Sequence, residues 1–151
     1  MIGFPVTISD LRYRPDNDVE YHATIHYTME RDQMVEMHEI AKQLTLVAPH
    51  QTTQIQTDMF EDRQGNTVYV VKLISDSMLE YHKAFEHLSN SPFKYSAHIS
   101  VDYPTWQKIR NSKATTVKQA NINFSCATLM EGSNLLHRYR NGSTFSNSPK
   151  S

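Results

Sequence analysis

Val19-Glu20-Tyr21-His22-Ala23-Thr24-Ile25-His26-Tyr27-Thr28 alternates residue by residue, and the rest of the chain is read outward from it. Val19, Tyr21, Ala23, Ile25 and Tyr27 fall on one face of an extended segment; His22, Thr24, His26 and Thr28 fall on the other. That is the pattern of a half-buried β-strand, one face packed and one polar. A second stretch, Ala97-His98-Ile99-Ser100-Val101, repeats the frame: Ala97, Ile99 and Val101 oppose His98 and Ser100. Two strands, far apart in sequence, each carry a histidine and a hydroxyl on one face.

The segments around them complete the expectation. Phe4–Ile8 alternates as a strand, and Arg14-Pro15-Asp16-Asn17-Asp18 reads as a turn. Asp32 caps a helix through about Leu46, burying Met34, Met37, Ile40, Ala41 and Leu44. Ile55–Glu61 and Thr67–Ile74 form a hairpin turning at Gly65-Asn66. A second helix starts at Asp76 or Ser77, buries Met78, Tyr81, Phe85 and Leu88, and ends at Ser91-Pro92. The second histidine strand runs Tyr95–Tyr103. Pro104 then opens a short helix with Trp106, read as a core residue, and Ile109. Ile122, Phe124, Cys126 and Thr128 share a face of a last strand, and Ser133–Tyr139 reads as a short terminal helix. A mixed sheet with helices on one face satisfies this order. One domain is expected over 1–141, followed by a polar tail over 142–151.

Bulk properties narrow the function classes. The 151 residues are 38% hydrophobic and 21% charged, with a formal net charge of −1. That fits one folded domain with a sizeable core. No apolar run approaches the roughly 20 residues that span a bilayer, and the first residues show no signal-peptide pattern, so a cytoplasmic protein away from membranes is expected. Cys126 is the single cysteine; no internal disulfide can form, and a buried, inert thiol is expected. The chain lacks the basic excess of proteins that grip long nucleic acid. There is no Gly-rich phosphate loop and no Gly-x-Ser-x-Gly elbow.

The chemistry lies in His-x-Ser/Thr. On a strand, residues i and i+2 point the same way, roughly 6.5–7 Å apart. An imidazole moves protons near neutral pH, and the hydroxyl can hydrogen-bond a phosphate oxygen. Five histidines carry the tripeptide: His22, His26, His50, His87 and His98. His50 follows Pro49 in a loop, and His87 ends a helix. His22 has the same frame as His98, whereas His26 lies roughly 13 Å further along the strand, at the pocket edge or in solvent. Two units facing one cleft supply a base, an acid and two phosphate anchors. Read from these residues alone, the pair is equally compatible with two strand histidines on a polar face and no chemistry. Metal use is disfavoured: His22 and His26 are too far apart to share an ion, and no His-Glu-x-x-His is present.

His22-Ala23-Thr24-Ile25 and His98-Ile99-Ser100-Val101, separated by helix, hairpin and helix, resemble the paired signatures of the 2H phosphoesterase superfamily. The resemblance covers roughly Phe4 to Phe124. It implies a bilobal, pseudo-symmetric α+β fold with helices on the outer faces and a central cleft. His22 and His98 would be the acid–base pair, Thr24 and Ser100 the phosphate ligands, with no metal and no cofactor. The size and the opening Met-Ile-Gly-Phe-Pro-Val-Thr-Ile-Ser-Asp are similar to phage anti-CBASS nucleases, which hydrolyse cyclic di- and trinucleotide alarm signals. That implies a metal-independent phosphodiesterase, a cyclic oligonucleotide partner and a host bacterial cytoplasm. Tyr13, Glu131 and Tyr139 are the candidate substrate-binding residues, and Lys94 and Arg140 the candidate phosphate cations. Other readings are a 2H phosphodiesterase for 2′–5′-oligoadenylate or RNA 2′,3′-cyclic phosphate, and a sponge that binds a nucleotide without cutting it. Oligomeric state is left open, a homo-oligomer included.

Overall fold

The computed structural model describes residues 1–9, 20–89 and 94–140. The turn at Arg14–Asp18, Tyr13, Ser91-Pro92 and the tail 142–151 lie outside them. The elements are β1 (Ile2–Ile8), β2 (Glu20–His26), α1 (Met34–Gln43), β3 (Gln54–Glu61), β4 (Thr67–Ile74), α2 (Asp76–Phe85), β5 (His98–Val101), α3 (Tyr103–Ser112), β6 (Ile122–Phe124), β7 (Thr128–Glu131) and β8 (Asn134–Arg138). The fold class is α+β. Eight strands form one open sheet in the order β3-β4-β5-β2-β1-β7-β8, with β6 also paired to β1. The expected mixed sheet is instead antiparallel at every strand pair among the described residues. The hairpins β1–β2, β3–β4 and β7–β8 supply much of that pairing, and a hairpin reverses the chain by construction.

One face of the sheet is apolar. Phe4, Val6, Ala23, Ile99, Val71, Leu73 and Ile55 join Met37 and Ala41 of α1, Met78 and Phe85 of α2, and Trp106 and Ile109 of α3 in a single buried cluster. All three helices therefore pack on that face, and Trp106 belongs to the core as expected. Each helix turns an apolar stripe inward. The caps of α2 and α3 are local: Ser75 Oγ accepts from the Met78 amide at 3.2 Å, and Asp102 Oδ1 from the Thr105 amide at 2.9 Å. The α2 cap is thus Ser75, ahead of the expected Asp76 or Ser77, because Ser75 is the last extended residue. No helix among the described residues is long and apolar enough to cross a membrane.

Further expectations are corrected. Ser133–Tyr139 is not a helix. Gly132, at φ +59°, and Ser133 form a two-residue loop closed by the Glu131–Asn134 pair, so the Leu135-Leu136 doublet lies in edge strand β8. The last long strand is broken into β6 and β7, and Cys126 falls in the break, half-buried rather than fully buried.

His26 does not share the face of His22 and Thr24. The β1–β2 register shifts between Ile2 and Gly3, so Ile2 pairs with His26 while Gly3 pairs with Thr24. The extra residue, Ile25, is a β-bulge that turns His26 towards the core. There its ring stacks on Phe85 at 5.7 Å and 12°, and it is 3% exposed. Burial, reinforced by the neighbouring His82, pushes this imidazole from 6.5 down to about 4. The unfolded chain then binds the extra proton between those values. His26 therefore costs nothing above about pH 6.5, and its contribution is lost as pH falls towards 4. The loss is on the order of 3 kcal/mol. In urea unfolding at pH 7 and 4.5, His26→Phe is expected to lose clearly less stability on acidification than the unmodified chain; equal losses would contradict it.

Candidate functional site

Ala23 on β2 pairs with Ile99 on β5, antiparallel, at the centre of the sheet. Extending that register by one residue sets His22 opposite Ser100 and Thr24 opposite His98. A local two-fold axis through the Ala23–Ile99 pair relates His22 to His98 and Thr24 to Ser100. Ala23 and Ile99 are both 0% exposed beneath the helices, so alternation places all four polar residues on the opposite, open face. Directly opposed Cβ atoms are about 4.5–5.5 Å apart, and the diagonal His22–His98 separation is about 7–8 Å.

The two imidazoles have different partners. His98 Nδ1 lies 2.7 Å from the Ser96 carbonyl. A carbonyl only accepts, so Nδ1 carries the proton and the neutral ring leaves Nε2 as its basic nitrogen. His22 Nε2 is shielded, has no hydrogen-bond partner, and lies 3.8 Å from Glu20 Oε1. Thr24 Oγ1 donates to Met1 Sδ at 3.2 Å, a weak acceptor that a phosphate oxygen can displace.

The backbone supports these positions. β2 continues past the start of β5, and its overhanging carbonyls are taken by side chains: Tyr95 donates to Thr24 O at 2.8 Å, and His82 Nδ1 to Ile25 O at 2.8 Å. His82 and Tyr95 stack at 4.0 Å and 5°, and burial holds the Tyr95 phenol well above its usual range. On the other side of β2, Gly3 is packed so closely that a Cβ would stand 2.6 Å from the Ala23 carbonyl oxygen and 2.9 Å from Thr24 Cα.

The remaining expected residues separate. Tyr139 is a correction: it is buried in the core, its hydroxyl 2.9 Å from His38 Nδ1 of α1. It therefore packs under the helices, not on the open face, and burial raises its phenol to about 12. Glu131 ends β7, with its carboxylate 2.9 Å from Arg31. It also acts on the amino group of Met1, the residue that contacts Thr24. Tyr13 lies outside the described residues. Lys94 lines a groove beside α2 with His82 and Tyr95, and Arg140 follows β8. No group of three or more metal-ligating side chains occurs among the described residues.

Sequence reading missed Lys72 and Phe60. Lys72 is the direct β4 partner of His98, and Phe60 meets the His98 ring edge-on at 5.9 Å. The available signal was a single lysine in the apolar alternation of β4, on the face of Val68 and Val70.

No protein-family model, curated protein or solved structure matches this chain.

Proposed function

We propose that this protein is a two-histidine, metal-independent phosphodiesterase that opens a 3′–5′ linkage of a cyclic di- or trinucleotide. The observation that carries this is the Ala23–Ile99 register. It makes the two His-x-Ser/Thr tripeptides two-fold mates on the sheet face opposite the helices, with a Cβ diagonal of about 7–8 Å between the histidines, and in this proposal one phosphate lies between them. Each imidazole can then come within about 2.6–3.2 Å of an oxygen on opposite sides of one phosphorus.

His98 acts as the base. Its Nδ1 is committed to Ser96, so Nε2 accepts the proton of the ribose 2′-hydroxyl. That oxygen attacks phosphorus in line. His22 acts as the acid and delivers a proton to the departing 5′-oxygen, giving a 2′,3′-cyclic phosphate and a free 5′-hydroxyl. Thr24 and Ser100 hold the non-bridging oxygens. The bilobal 2H phosphoesterase arrangement that the signatures imply is part of this proposal, and what supports it is the two-fold-related pair at the centre of the single open sheet. By the same resemblance, the biological substrates are the cyclic nucleotide signals of bacterial CBASS defence, met in the cytoplasm.

The test is incubation with cyclic di- and trinucleotides, 2′–5′-oligoadenylate and RNA 2′,3′-cyclic phosphate in EDTA, read by mass spectrometry. Cleavage of the cyclic ribonucleotides at an undiminished rate is expected, with 2′-deoxy counterparts intact. Turnover of the deoxy compounds would refute 2′-hydroxyl attack, and intact ligand throughout would leave a binding protein.

A further inference from the structure

The two-histidine chemistry uses neither Lys72 nor Phe60, yet both flank His98 on the open face, and both come from the β3–β4 hairpin. Lys72 pairs across the strands with His98, and its Nζ is held 2.9 Å from Asp58 Oδ2. The Lys72 ammonium, with the Met59 amide, keeps the Asp58 carboxyl below its usual range. Asp58 is also anchored from the other face, where Trp106 Nε1 donates to its carbonyl at 3.0 Å. The strand is thus fixed two residues before Phe60, a residue 47% exposed whose ring lies T-shaped to that of His98 at 84°.

We propose that the β3–β4 hairpin is the nucleoside-binding wing of the cleft, with Phe60 stacking a base and Lys72 exchanging Asp58 for a phosphate oxygen. This rests on the phosphodiesterase reading and puts base binding on the hairpin rather than on Tyr139, which is buried in the core. A half-exposed phenylalanine beside the reacting imidazole suits any nucleobase, because stacking needs only a π-face. Lys72 supplies a compact positive charge that neither histidine–hydroxyl unit contains. Asp58 parks that charge in the unliganded cleft. As an exposed ion pair alone it would contribute little stability, so substitution there tests binding rather than folding.

The probe is cyclic di-(2′-deoxyadenylate), which lacks the attacking hydroxyl and survives the measurement. Calorimetric titration in EDTA is expected to show Phe60→Ala weakening binding about tenfold, with Phe60→Trp restoring it. Lys72→Met is expected to weaken it about fivefold or more, with Lys72→Arg intermediate. With the ribose substrate, Phe60→Ala should raise KM by the same factor and leave kcat within about twofold. Unmodified chain that binds but never cuts, with binding lost in Phe60→Ala, would sink the catalytic reading and uphold the wing. Variants that bind as tightly as the unmodified chain would overturn the wing while leaving catalysis standing. Absence of binding by the unmodified chain would overturn both.

Discussion

His22→Ala and His98→Ala are each expected to lower turnover of a cyclic dinucleotide by about 10²–10⁴-fold, the usual range for a positioned general acid or base. That corresponds to about 3–5 kcal/mol of transition-state stabilisation. The double variant is expected to be little worse than the poorer single one, because acid and base serve one displacement and their losses do not add. Folding should survive. Both rings stand on the open face, over Ala23 and Ile99 rather than among them. Removing His22 deletes a shielded nitrogen that has no partner, and removing His98 costs one hydrogen bond to Ser96, about 1 kcal/mol. Steady-state rates should be paired with thermal unfolding of each variant. A single variant with full activity would end the assignment, and loss of activity through unfolding would show as a large drop in Tm. His26 is the internal control. It carries the same tripeptide but lies against Phe85 in the core, so His26→Phe should leave turnover within about twofold.

Gly3→Ala is expected to damage both stability and activity, although glycine has no chemistry to lose. The new methyl would meet the Ala23 carbonyl oxygen at 2.6 Å and Thr24 Cα at 2.9 Å. These are backbone atoms of the first histidine strand and cannot swing aside as a side-chain tip would. β1 and β2 must separate at the Gly3–Thr24 pair. Overpacking of this kind costs about 1–3 kcal/mol, occasionally more. The displacement falls on the strand that aims His22 and Thr24, so turnover should fall at least tenfold, given that sub-ångström to 1 Å misplacements cost about that much or more. Gly65→Ala is the comparison. Gly65 sits at φ +81° with nothing within 4 Å of an added Cβ, so the cost is backbone strain of about 1 kcal/mol, with no change in turnover. Urea midpoints and rates for the two variants separate the effects. Equal behaviour would show that the close approach at Gly3 relaxes freely.

Much of the fold is local and was legible. The alternation in β2, β4 and β5 specifies which side chains share a face, and period-3.6 stripes specify Met37, Met78, Phe85, Trp106 and Ile109 as core. Ala23 and Ile99 flank the histidines because a buried face requires small or apolar residues at alternate positions. The failures also have local causes. A two-residue Gly132-Ser133 loop was outweighed by an apolar doublet. One extra residue at Ile25 inverted the face of everything after it, which period-2 counting cannot register.

By itself, the sequence determined the His22 and His98 tripeptides, their extended conformation and the side on which each of these two histidines lies relative to its own strand. Only the tertiary structure decided that β2 and β5 are neighbours, that they run antiparallel, and that they align at Ala23 and Ile99. It alone brought Lys72 and Phe60 to His98 and withdrew Tyr139 into the core. The reason is physical. Which side chains a strand buries depends on a period of two residues, which any short stretch displays. Which strand lies beside it depends on how the whole chain satisfies its backbone hydrogen bonds and fills one core, and no stretch of ten residues contains that information.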